Sequence, residues 1–230
     1  LPEATCIIRR GRLAALLLLL LLSGCAEEPL KVGVRSWVGY DVISMASQWG
    51  WIGPEVELIS QESAAGSLSG LASGELQAAC LTLGEVIRGL DQGLPLTIIA
   101  VMNVSSSRDT PELIFDVVAV RSDAVKRRKK ALGKFVSAIL RAQSHVHDNP
   151  VDTVYRLASL RGNPVWVTEE ALRRVVIPTL DIQHGYFSRD SSLSAAVDRI
   201  NELFVNAGVI SAPRGNAGLL DPSYLPELAK

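Results

Sequence analysis

The chain has 230 residues, 23 basic and 24 acidic, for a net charge of −1, and is 48% hydrophobic but only 5% aromatic. That length buries a real core in one or two domains, and the mixed charge excludes disordered and collagen-like classes. Near-neutrality leaves no basic footprint for nucleic acid, and three Cys are too few for a disulfide scaffold or a four-cysteine zinc site.

At the start, Arg9, Arg10 and Arg12 precede the unbroken apolar run Leu13–Leu22. Ten residues are too few to cross a bilayer core, which takes about 20, but they suit the apolar segment of an export signal. The run ends in Leu22-Ser23-Gly24-Cys25, which resembles the bacterial lipobox at all four positions. The resemblance implies that residues 1–24 are a lipoprotein signal peptide and that Cys25 becomes an acylated N-terminus. Two or three acyl chains give durable attachment to a membrane. Loss of residues 1–24 removes Glu3 and three Arg, lowering the net charge from −1 to −3. The expected location is the face of the cell membrane or outer membrane that looks onto the periplasm or exterior. With Cys25 acylated, Cys80 has no disulfide partner and reads as a small buried hydrophobe.

In the mature part, Leu30–Val34 reads as a strand and Arg35–Tyr40 as a loop. Asp41 caps a helix to about Gly50, with Val42, Ile43, Met45, Ala46 and Trp49 on its apolar face. Val56–Ile59 is a second strand, Ser60–Gly66 a polar loop and Ser67–Ser73 a short helix. Leu76–Leu81 is a third strand, Thr82 caps a helix to about Asp91, and Leu96–Met102 is a fourth strand. Short apolar strands alternating with helices of about ten residues indicate βαβ units and a parallel sheet. Ligands in such sheets bind at the carboxyl ends of the strands. Leu113–Val120 is one more strand, and from Ala124 onward the pattern reads as helices only. These include one carrying Leu132, Phe135, Val136, Ile139 and Leu140, one restarted at Asn149-Pro150, one starting at Thr168 and one carrying Val197, Ile200, Leu203 and Phe204. The tail around Asp221-Pro222 reads as a surface wrap.

Lys31-Val-Gly-Val34, Trp37-Val-Gly-Tyr40, Gly74-Glu-Leu-Gln-Ala-Ala79, Thr82-Leu-Gly-Glu85 and Gly93-Leu-Pro-Leu-Thr-Ile-Ile99 occur in that order. Together they resemble ABC-transporter substrate-binding proteins of the nitrate/sulfonate/taurine type. The resemblance implies a periplasmic-binding-protein type II clamshell, with two α/β lobes joined by a hinge. Only Arg108-Asp-Thr-Pro-Glu112 stands where the second lobe is expected. The expected fold is therefore α/β: a parallel sheet with one antiparallel return strand, a single lobe of the clamshell, plus C-terminal helices. Its parts are residues 30–107, the return strand 113–121 and helices 122–230. The implied function is solute binding for an ABC importer, with a small-molecule solute, an ABC permease and the membrane as partners and no nucleic acid. The alternative is a shortened lipoprotein that binds no solute, or that offers a surface to a partner.

Candidate ligand-binding residues are Trp37, Tyr40, Ser63, Gly66, Thr82, Glu85 and Ser105. Trp37 and Tyr40 either form a cleft wall or pack on the following helix. Ser63 with Gly66, and Thr82, form either anion receptors or plain helix caps. Glu85 either favours its helix dipole or faces a cationic or polyhydroxyl ligand. Ser105 belongs to a hinge or to a plain loop. The run Lys126-Arg-Arg-Lys-Lys130 reads as a solvated helix face or a contact for anionic lipid. His145 and His147 do not share a helix face, so no metal is expected. With no nucleophile–base pair and no phosphate loop legible, the chain is expected to be neither an enzyme nor a cofactor binder.

Overall fold

The computed structural model describes residues 27–106, 114–215 and 218–228. The leader, Cys25 and the link Arg108–Glu112 lie outside them. The elements are β1 (Leu30–Arg35), α1 (Asp41–Gln48), β2 (Val56–Gln61), α2 (Ala64–Ser73), β3 (Ala78–Thr82), α3 (Leu83–Asp91), β4 (Leu96–Ser105) and β5 (Phe115–Arg121). They continue as α4 (Ser122–Arg127), α5 (Lys129–Asp148), α6 (Pro150–Arg161), α7 (Val165–Leu172), β6 (Val175–Val176), α8 (Leu180–Tyr186) and α9 (Ser192–Asn206).

The strands form one sheet in the order β2-β1-β3-β5-β4-β6. β1 pairs in parallel with β2 and β3. β5 returns antiparallel between β3 and β4, so β4 runs in the same direction as β3. This is the α/β lobe with an antiparallel return strand. Among the described residues from 103 onward, strand pairing adds to this sheet and builds no second one.

β5 shows why the run Val117–Val120 is continuously apolar. Val118 and Val120 face a core shared with Ile43, Phe135 and Ile139. Val117 and Ala119 face a second core with Leu71, Val86 and Leu193. A strand covered by helices on both faces has no solvent side, so the polar half of the alternation disappears. β4 breaks that alternation with register shifts between Ile98 and Ala100 and between Val101 and Asn103. Such irregularities strand backbone groups from the ladder. Two buried amides replace the lost partners: Gln183 Oε1 accepts from Val101 N at 3.0 Å, and Gln143 Nε2 donates to the carbonyls of Val101 and Met102 at 3.0 Å.

Several expectations are corrected. The region after Ala124 is not helical throughout, because Val175–Val176 pairs antiparallel with Ser105 and Val104. Two residues are too few to show a period of two. Thr168 does not start a helix; it lies buried inside α7, whose N-cap is Pro164. Asp41 does not cap α1; Tyr40 occupies that position, and the Asp41 carboxylate is instead bound by Arg161. α8 was not legible. The tail is more than a wrap: Leu220 bridges to Ile98, and Tyr224, 6% exposed, donates to the Val125 carbonyl at 2.6 Å.

Candidate functional site

The carboxyl ends of β1–β4 meet the start of β5 at one edge of the sheet, around a cleft of about 700 Å³. That volume suits a small organic molecule. Arg35 ends β1, Gln61 ends β2, Thr82 ends β3, Asn103 and Ser105 come from the end of β4, and Asp116 opens β5. Arg174 and Val175 approach from the connection after α7.

Asp116 organises the floor. Its Oδ1 accepts from Tyr40 Oη at 2.8 Å, and its Oδ2 accepts from Trp37 Nε1 at 2.9 Å. Asp116 and Asn103 are direct cross-strand partners, so both side chains stand on the same face of the sheet. Asn103 follows the second β4 irregularity, and its side chain packs against Gly39 in the loop before α1. Asn103 is close enough to lower the pKa of Asp116, yet its buried Nδ2 finds no well-aligned acceptor. Burial dominates, and the Asp116 pKa lies above the ordinary carboxylate value despite the donors from Tyr40 and Trp37 and the nearness of Asn103. Burial, reinforced by the Asp116 charge, likewise raises the Tyr40 hydroxyl well above its usual pKa, so Tyr40 stays a donor.

A second constellation sits at the start of α3. Thr82 Oγ1 accepts from Glu85 N at 3.2 Å, and Glu85 Oε2 accepts from Thr82 N at 2.8 Å. This reciprocal capping box satisfies two of the helix's first N–H groups. The same carboxylate oxygen holds Arg35 Nη2 at 2.6 Å. Arg35 also lies 5.9 Å from the centre of the Tyr40 ring. Burial opposes its charge, but Glu85 and Tyr40 outweigh burial and raise the guanidinium's pKa.

Of the seven candidate residues, Trp37, Tyr40, Thr82 and Ser105 line this cleft together. Glu85 stands behind the wall, where it orients Arg35 and caps α3. Ser63 and Gly66 are not part of the lining; Ser63 Oγ accepts from Gly66 N at 3.1 Å, as an N-cap does. Arg35, Gln61, Asn103, Asp116 and Arg174 were missed. Asp116 had a signal, since a carboxylate inside the apolar stretch Phe115–Val120 needs donors to be buried. Arg174 had none.

Both histidines of α5 have structural partners. His145 Nε2 meets Asp152 at 2.9 Å, whereas His147 Nε2 meets the Ile177 carbonyl at 2.8 Å, so the two point to different places. Among the described residues no group of three metal-ligating side chains assembles. Cys80 is fully buried, and burial raises its thiol pKa.

No known family profile matches the chain, and no curated protein matches it in sequence. Solved structures do match in shape. The ligand-binding component of an ABC-type import system from Staphylococcus aureus, with zinc bound, aligns with a TM-score of 0.66 at 9% identity, over 86% of this chain and 98% of that one. The fold is that of a periplasmic binding protein. The alkanesulfonate-binding protein of Xanthomonas axonopodis pv. citri, bound to MOPS, aligns with a TM-score of 0.62 at 9% identity, over 85% of this chain and 98% of that one. The aliphatic sulphonate binding protein of Escherichia coli gives 0.57 at 9% identity, over 89% and 94%. At such identities the likeness concerns the periplasmic-binding-protein fold; residue roles rest on the geometry above.

Proposed function

We propose that the chain is the solute-binding component of an ABC importer, exported, anchored through acylated Cys25, and handing a small organic solute or anion to a permease. The observation that carries this reading is the cleft at the strand ends, where Arg35, Trp37, Thr82 and Ser105 surround one space. Arg35, aimed by Glu85, offers a cation to an anionic head such as a sulfonate, nitrate or carboxylate. Trp37, 42% exposed, offers a ring face to an apolar body. Thr82, Ser105 and Asn103 add hydroxyl and amide groups. The reading involves capture and delivery and no catalytic step.

A second reading, a lipoprotein that binds a partner rather than a solute, is favoured by the open lip of the cleft. Trp37 and Ile114 are 42% and 45% exposed there, with one sheet behind them. A thermal-shift screen against sulfonates, nitrate, taurine, bicarbonate, pyrimidines and small amines separates the two. Ligand at 100-fold over its Kd stabilises the native state by about 2.7 kcal/mol. A reproducible shift that Arg35→Gln abolishes supports solute binding. A cooperative melt that none of these ligands moves supports the second reading.

A further inference from the structure

The edge of the sheet opposite the cleft carries a different surface. A groove of about 750 Å³ runs between the loop before β2 and the first turns of α5, with Trp51 in its wall and Lys129, Lys130, Lys134 and Arg141 along it. Arg141 stacks on Trp51, its guanidinium carbon 3.9 Å from the ring centre. The run Lys126–Lys130 continues this charge into α4. Of the carboxylates nearby, Glu55 pairs with Lys134, Asp123 with Arg121 and Arg127, and Glu27 with Arg128, and Glu28 is exposed beside them. The face keeps a clear excess of positive charge on a chain whose net charge is −1.

The second observation is where the chain enters the fold. Glu27 binds Arg128 Nε at 3.0 Å, and the Glu28 carbonyl accepts from the same guanidinium. Cys25 is two residues before that clamp. Two residues reach at most about 7 Å, so an acyl anchor at Cys25 would hold this basic edge against the bilayer.

We infer that the Lys126–Lys130 face, with the Trp51 groove, is a docking surface for an anionic phospholipid bilayer, and that docking turns the cleft away from the membrane. The inference rests on the anchoring of Cys25 proposed above. A basic cluster beside an anchor is a sequence-readable site for anionic lipid, and a ring such as Trp51 suits the headgroup boundary. Each lysine near such a surface strengthens docking by about fivefold.

The test uses the full chain, produced in a bacterial host so that Cys25 is processed, beside a Cys25→Ser twin. Both carry Cys6→Ser and an environment-sensitive dye on Ser137→Cys, an exposed position in the groove; Cys80 is buried and stays unlabelled. Each is bound to vesicles of phosphatidylcholine, with and without phosphatidylglycerol. The dye is expected to shift to the blue only with phosphatidylglycerol. Lys126→Gln/Lys129→Gln/Lys130→Gln should lower the docked-to-undocked ratio about 100-fold, and the matched triple Arg88→Gln/Arg189→Gln/Arg199→Gln should leave it unchanged. A silent dye on acylated protein, an equal response to neutral vesicles, or equal losses in both triples overturns the inference. If mass spectrometry finds Cys25 unmodified while the dye in the twin still responds to phosphatidylglycerol alone, the anchor reading fails and the docking face stands.

Discussion

Asp116 Oδ2 accepts from Trp37 Nε1 at 2.9 Å, tying the first loop of the sheet to its return strand. The other oxygen accepts from Tyr40, so one buried carboxylate fixes both aromatic residues of the cleft. Asp116→Ala leaves two donors without an acceptor, one of them the 1%-exposed Tyr40. A loss of about 1–3 kcal/mol is expected, chiefly from Tyr40, since that is the cost of an orphaned buried group and Trp37 is 42% exposed. Urea melts measure it; a change below 0.5 kcal/mol, roughly the size of a neutral surface substitution, would contradict the role.

The same carboxylate gives a pH signature. Burial raises its folded pKa above the ordinary 3.8, so between those two values the native state binds more protons than the unfolded chain. The Asp116 contribution is therefore fully present below the unfolded value and is lost as pH rises through the folded value. Asp41 is raised by burial in the same sense, while Asp123 and Glu55, lowered by Arg121 and Lys134, act oppositely but are almost fully screened by solvent. Stability measured against pH for the parent minus Asp116→Asn should fall with increasing pH across the acid range. A difference that is flat or rises would show that Asp116 is not raised in the folded state.

Gly39 shows how tightly the cleft floor is built. A Cβ there would lie 1.9 Å from Asn103 Nδ2 and 2.6 Å from its Cγ. Gly39→Ala must push the Asn103 side chain out of place, at a cost of about 1–3 kcal/mol. The variant should melt earlier and, if the cleft takes a solute, lose that solute's thermal shift. An unchanged melt would mean that Asn103 has room to move that the packing does not show.

Arg161, ending α6, binds Asp41 at the start of α1, with Nη2 donating to Oδ1 at 2.9 Å and Nε to Oδ2. Asp41 is buried, and burial lifts its pKa even against this pairing. Arg161→Ala would strand that carboxylate and cost about 3 kcal/mol. The double variant Arg161→Leu/Asp41→Asn, which removes the buried charge, should recover part of the loss. No recovery would place the effect in packing and not in the unpaired charge.

Much of the lobe was legible because its signals are local. Thr82 and Glu85 sit three apart, the spacing of a capping box, and Phe135, Val136 and Ile139 share one helix face. Part of the cleft was legible for a similar reason: Trp37 and Tyr40 follow the end of β1, Thr82 and Ser105 end β3 and β4, and strand ends of a parallel sheet converge. Ser63 and Gly66 followed the same rule but fell outside the lining, where Ser63 serves as the N-cap of α2.

The chain by itself determined the alternation of strands and helices and the apolar faces that close the two cores, since these depend on periods within a dozen residues; the return direction of β5 was an implication of the family resemblance. Tertiary structure alone decided that Asp116 would anchor Trp37 and Tyr40, that Arg35 would be aimed by Glu85, and that Val175–Val176 would join the sheet edge. Each of those depends on residues tens of positions apart meeting where burial makes a missing hydrogen bond or charge partner costly, and no window along the sequence contains both partners.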